Sequence, residues 1–267
     1  MTAVVLRIVP LPLRAAKRPH RLVERSLMVY RRTWVLLVSG FFEPLFYLLS
    51  SKVGVGRLVG SVTVGGKAVD YVTFVAPALM ASSAMNGAVY DSTMNVFHKL
   101  RYAKIYDAML TTPLSTADIA LGEIAWALLR GLLYAVSFLV VIVAMDLSNT
   151  PWAVLSIPAA ALIGFAFASV GMAATTYMRG WPDFEFVQMA LMPMFLFSAT
   201  FYPASTYNGL GRALLQISPL YHGVELIRAA TTATFGAAVI GHALFLAAMG
   251  VAGLWFTSRR LDGMLRV

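Results

Sequence analysis

The sequence predicts an all-α integral membrane protein with six crossing helices, and three observations carry that prediction. First, hydrophobic residues make up 59% of the 267-residue chain and charged residues only 12%, with a mean hydropathy of +0.75. Soluble domains carry roughly 25% charge. Second, several apolar runs reach the roughly 20 residues needed to cross a hydrocarbon core of about 30 Å. Third, the basic residues behind the net charge of +9 sit at the ends of apolar runs. Orientation in a membrane explains that placement better than nucleic acid does.

Residues 1–33 read as a basic amphipathic segment lying in the cytoplasmic interface. Arg14, Arg18, Arg21, Arg25 and Arg32 share one helical face, and Leu22, Val23, Leu27 and Tyr30 share the opposite one. Pro19 marks the start of the helix or a kink. The early arginines and the lack of a clean apolar core argue against a cleavable signal peptide.

A six-span domain is expected over 34–257. The first span, Trp34 to Ser51, carries Glu43-Pro44, and a carboxylate there must face protein or water. Lys52 to Asp70 is glycine-rich. Its Gly60–Ala68 stretch imitates a phosphate-binding loop but has Ser61 for the first glycine and Ala68 for the magnesium-binding hydroxyl. The second span is Val72 to Tyr90. A polar stretch, Asn95 to Trp126, follows and reads as helix, stop, cap, helix. Ile105–Leu110 is short and amphipathic, Pro113 stops it, and Ser115-Thr116-Ala117-Asp118 has the form of a capping box. A short helix at the cytoplasmic mouth of a bundle suggests a lever on which another protein pushes.

The third span, Thr116 to Met145, is longer than the hydrocarbon core and should project or tilt. Glu123 and Arg130 share one face about two turns apart. They are placed to pair through an intermediary or with neighbouring helices. The fourth span, Trp152 to Met178, is rich in Ala, Gly and Ser, which permits close helix approach. The fifth, Phe186 to Phe201, is short and broken by Pro193. Tyr202 to Phe235 holds no full span and fits a re-entrant or interfacial helical hairpin. The sixth span is Ala237 to Thr257, and 258–267 is a basic cytoplasmic tail. Six spans and the arginine-rich ends place both termini in the cytoplasm.

Familiar chemistry is missing. The four histidines lie far apart in sequence with no metal-ligand spacing, and no nucleophile elbow or acid–base carboxylate pair occurs. A metal site and a lipid enzyme therefore lack support. His222, Glu225 and Arg228 fall at helical spacing and read as a hydrogen-bonded cluster. With no cysteine there are no disulfides.

Several motifs resemble the membrane subunits of ABC-2 type exporters, above all the nodulation-factor and drug exporter permeases. They are Tyr106–Leu114 (YDAMLTTPL), Asp118 with Gly122–Trp126 (GEIAW), Pro193–Pro203 (PMFLFSATFYP), Pro219–Arg228 (PLYHGVELIR) and Glu43-Pro44. Ala199 departs from the family, which often has glycine there. The resemblance implies a permease half in a bacterial inner membrane, paired with a second copy as a homodimer or with another permease as a heterodimer. Two copies of a separate ATP-binding subunit would carry the ATP and magnesium, leaving this chain without cofactor. It assigns coupling to Ile105, Tyr106, Asp107, Leu110, Thr112, Pro113 and Asp118, and transmission to Glu123 and Arg130. The path of an amphipathic or hydrophobic substrate falls to Glu43, Phe46, Asn86, Met192, Phe195, Phe197 and Phe201. The re-entrant hairpin carries His222, Glu225 and Arg228. An ion-coupled transporter or channel using Glu43, Glu123 and Arg130 as relays is the competing expectation.

Overall fold

Small residues decide which helix sits in the middle. The computed structural model describes residues 18–31, 34–64 and 66–265, and within them Ser156–Thr175 (α7) packs against four other helices. These are Tyr71–Tyr102 (α4), Thr116–Ala144 (α6), Pro219–Thr232 (α10) and Ala237–Leu265 (α11). A Cβ on Gly171 would collide with the Ser92 hydroxyl of α4, and one on Gly253 would come within 2.8 Å of the Ser169 backbone. Glycine at these points leaves no room for a side chain between the helices, the close approach expected of this span.

Around this centre lie His20–Tyr30 (α1), Trp34–Val53 (α2), Val55–Val59 (α3), Ile105–Leu110 (α5), Phe184–Phe197 (α8) and Leu210–Ile217 (α9). Four described helices are long and apolar enough to cross a membrane: α4, α6, the Pro151–Thr175 segment that includes α7, and α11 through Met264.

The structure corrects several expectations. The glycine-rich loop holds a two-stranded antiparallel hairpin, Ser61–Val64 (β1) with Lys67–Asp70 (β2), pairing Ser61 with Asp70 and Val64 with Lys67. Gly66 at φ +80° supplies the left-handed backbone that such a turn needs. The fold is therefore not purely helical. The second span does not stop at Tyr90 but runs on to Tyr102 through two π-helical turns, Asp91–Asn95 and His98–Tyr102. π turns displace the carbonyl ladder, and Thr175 Oγ1 donates to the Ser92 carbonyl at 3.0 Å. Pro193 does not break α8, which passes through it and ends at Phe197. At 14 residues α8 spans about 21 Å, well short of a hydrocarbon core. The last helix continues to Leu265 and absorbs most of the expected tail. Arg14, Arg32, Arg266 and the side chains of Tyr30 and Glu43 lie outside the described residues.

Candidate functional site

The region expected to couple to a partner is built around a six-residue helix. Lys104, at φ +46°, turns the chain sharply out of α4, and α5 follows. One face of α5 is buried: Tyr106 is fully enclosed and Met109 nearly so, while Ile105 and Leu110 are half-buried. Asp107, Ala108 and the turn Thr111–Pro113 are exposed. Thr112 Oγ1 donates to the Met109 carbonyl at 2.6 Å, so Thr112 closes the helix before Pro113 ends it. Of the expected coupling residues, Asp107 and Pro113 therefore face outward while Tyr106 anchors the helix from within.

The next helix starts with the anticipated capping box. Ser115 Oγ accepts from the Asp118 amide at 3.1 Å, and Asp118 Oδ2 accepts from the Ser115 amide at 2.9 Å. The other carboxylate oxygen, Oδ1, accepts from the Arg18 amide at 2.6 Å. One buried carboxylate thus starts α6 and fixes the N-terminal end of α1. Gly122 lets α1 lie flat on α6, because a Cβ there would stand 2.6 Å from Leu22 Cβ and 2.9 Å from the Pro19 carbonyl. The far end of the chain arrives at the same place: Thr116 Oγ1 donates to Asp262 Oδ1 of α11 at 3.0 Å.

Two ion pairs then tie α6 to α4. Lys99 Nζ donates to both Glu123 oxygens at 2.9 and 2.7 Å, and Arg130 Nε meets Asp91 Oδ2 at 2.9 Å. Glu123 and Arg130 therefore each pair with the neighbouring helix, one of the two arrangements expected. The spacings in sequence match: Asp91 and Lys99 lie eight residues apart on α4, Glu123 and Arg130 seven apart on α6, so antiparallel helices bring both pairs into register. Burial, and then the Glu123 carboxylate, push the Tyr106 phenol well above the usual tyrosine range, so it stays neutral beneath that carboxylate.

The expected substrate-path residues divide. Asn86 lines two adjoining cavities of about 580 and 240 Å³ between α4, α6 and α8, and Met192 and Phe195 line the smaller one. Phe195 packs edge-on to Phe201 with ring centres 5.3 Å apart. Phe46 and Phe197 point outward instead, 63% and 58% exposed. Gln188 lines the same two cavities as Asn86 and was missed; a glutamine inside an apolar run was the available signal. A third, almost wholly apolar cavity of about 530 Å³ lies between α4, α7 and α8.

The three residues expected in the hairpin do not all bond to one another. Arg228 pairs with Glu225 at 2.6 Å, donates to the Ala199 carbonyl at 3.0 Å and lies 4.3 Å over the Phe74 ring. His222 turns the other way, its Nε2 2.9 Å from the Gln216 carbonyl and its Nδ1 2.7 Å from Nδ1 of His242 on α11. Histidines twenty residues apart in sequence are thus neighbours, which spacing rules for metal sites do not register. Among the described residues no three His, Cys, Asp or Glu side chains gather as a metal site.

Comparison with known proteins agrees with this architecture. The ABC-2 type transporter family model matches residues 20–232, most of the chain. The chain belongs to the ABC-2 type transporter family. Nodulation protein J of Sinorhizobium fredii (strain NBRC 101917 / NGR234) is 32% identical over 221 residues, covering 82% of this chain and 83% of that protein. The Rhizobium meliloti (strain 1021) protein of the same name is 30% identical over 209 residues, 77% of this chain and 78% of its own length. That of Rhizobium leguminosarum bv. trifolii is 32% identical over 213 residues, 76% and 79%. As an ABC-2 permease the chain is a membrane-spanning transport subunit rather than a catalytic one.

Proposed function

We propose that this permease is the membrane half of an exporter driven by a separate ATP-binding-cassette subunit, with two copies of each chain. Its cargo is an amphipathic or hydrophobic molecule: a lipid, glycolipid, lipid-linked saccharide or drug. Six helices cross the membrane in this reading, with α2 and α8 joining the four long ones, both termini in the cytoplasm, and α9–α10 folding back as a re-entrant hairpin. The observation that carries it is α5, exposed at Asp107 on one side and clamped through Tyr106 on the other. A short helix exposed outward and locked inward is a lever with a fixed bearing.

A push on Asp107 moves the Tyr106 ring against Glu123. The Lys99–Glu123 and Asp91–Arg130 pairs carry that motion into α6 and α4 together, and α4 lines the cavities holding Asn86. The capping box keeps the start of α6 rigid, so displacement reaches the rod instead of melting its first turn. Pairing also tells against the ion-relay alternative. Glu123 and Arg130 are each neutralised by a partner, whereas a relay needs groups that exchange protons or ions along the path.

The test is copurification with an ATP-binding-cassette protein, followed by substrate-stimulated ATP hydrolysis in proteoliposomes. Asp107→Arg and Leu110→Asp should abolish stimulation while the complex still assembles in the membrane. Unchanged export in both variants, or ion-driven transport by the chain alone, would sink the reading.

A further inference from the structure

A groove of about 430 Å³ separates α1 from α5. Leu22, Ile105 and Met109 form part of its apolar floor, and Arg21, Arg25 and Lys104 bring three positive charges to its rim. Arg21 is engaged with Glu24 at 3.1 Å. Among the described residues neither Arg25 nor Lys104 has a carboxylate partner, and Asp107 is not part of the lining. Two uncompensated cations over an apolar floor match an anionic group attached to an apolar body.

The surroundings of the groove identify which such molecule. Leu27, Met28 and Val29, at the far end of α1, are 49%, 67% and 54% exposed. An amphipathic helix lying in the interface turns such apolar side chains toward acyl chains and its charged ones toward headgroups. Arg25 then stands at the level of lipid phosphates.

We propose that this groove is a binding site for an anionic phospholipid. The headgroup phosphate is held between Arg25 and Lys104, and the acyl chains run down the exposed Leu27–Val29 end of α1. The lipid becomes a wedge between the interfacial helix and α5. This site is separate from the substrate path, and its occupancy does not depend on what drives transport.

The full chain is reconstituted in nanodiscs of equimolar phosphatidylglycerol and phosphatidylcholine, gently extracted, and its retained lipids are counted by native mass spectrometry. The wild-type chain should keep phosphatidylglycerol over phosphatidylcholine. Each basic residue near an anionic surface contributes about 1 kcal/mol, so Arg25→Gln should reduce that preference roughly fivefold and Arg25→Gln/Lys104→Gln roughly thirtyfold. Arg25→Lys keeps the charge and should keep the preference, which guards against a folding defect in the neutral variants. Three results overturn the proposal: equal retention by the double variant, displacement of the lipid by inorganic phosphate, and variants that lose an ATP-binding-cassette partner while keeping phosphatidylglycerol.

Discussion

Ala233 and Ala199 occupy the same unfavourable backbone region, at φ +55° each, in opposite surroundings. Left-handed backbone costs an L-residue about 1–2 kcal/mol, and glycine escapes that cost but adds about 0.5–1 kcal/mol of chain entropy to the unfolded state. Ala233 caps the end of α10 in the open, so Ala233→Gly should stabilise the protein by about 0.5–1 kcal/mol, measured as a rise in unfolding midpoint in nanodiscs. Ala199 is completely buried, and deleting its methyl gives back about 0.8 kcal/mol. Ala199→Gly should therefore be close to neutral. Tyr106 gives a pH prediction at the same scale. Its phenol titrates above the free value of 10.0, so the folded state holds a proton that the unfolded state loses first. The contribution is intact below pH 10 and declines as pH rises beyond it. Tyr106→Phe should flatten the alkaline part of a stability–pH curve and leave neutral pH nearly unchanged.

At the scale of elements, the ladder between α4 and α6 is the joint most open to measurement. Lys99 and Glu123 are 20% and 5% exposed, so removing one partner strands a largely buried charge. Glu123→Gln should cost about 2–4 kcal/mol, and the swap Lys99→Glu/Glu123→Lys should recover a large part of it in a double-mutant cycle. Additive losses would show that the pair does not bind the helices together. Gly122→Val, by contrast, should detach α1 from α6 without touching a charge. The sequence made some of these elements plain. The capping box, the short helix α5 and the long third span are written in local chemistry: Ser115 and Asp118, Pro113, and a long, mainly apolar run. The continuation of α4 past Tyr90 was hidden because Asp91, Asn95 and Lys99 look like a loop. Asp91 and Lys99 are paired with Arg130 and Glu123, which lie on another helix, and Asn95 Nδ2 donates to Asp91 Oδ1. His222 and His242 were hidden for the same reason, since the helices that join them are not recorded in their spacing.

At the scale of the whole molecule, the uncovered surface is informative. Phe46 on α2 and Met189, Met192 and Phe197 on α8 are all more than half exposed, as expected if a second copy or cargo meets this side. The chain contains no cysteine, so a single introduced thiol gives a clean report. If two copies meet across α8, Met192→Cys should form an oxidant-dependent cross-linked dimer in native membranes, while Leu244→Cys, at an exposed position on α11, should not. Monomer alone would place another molecule there. The Asp118 junction has a consequence of its own, for synthesis. It joins Arg18 to a residue 100 positions later, and two residues before it Thr116 reaches Asp262, 146 positions further on. The contact with Asp262 can form only after α11 has been made, so the start of α6 gains its last tie late in synthesis, long after α1 has docked there.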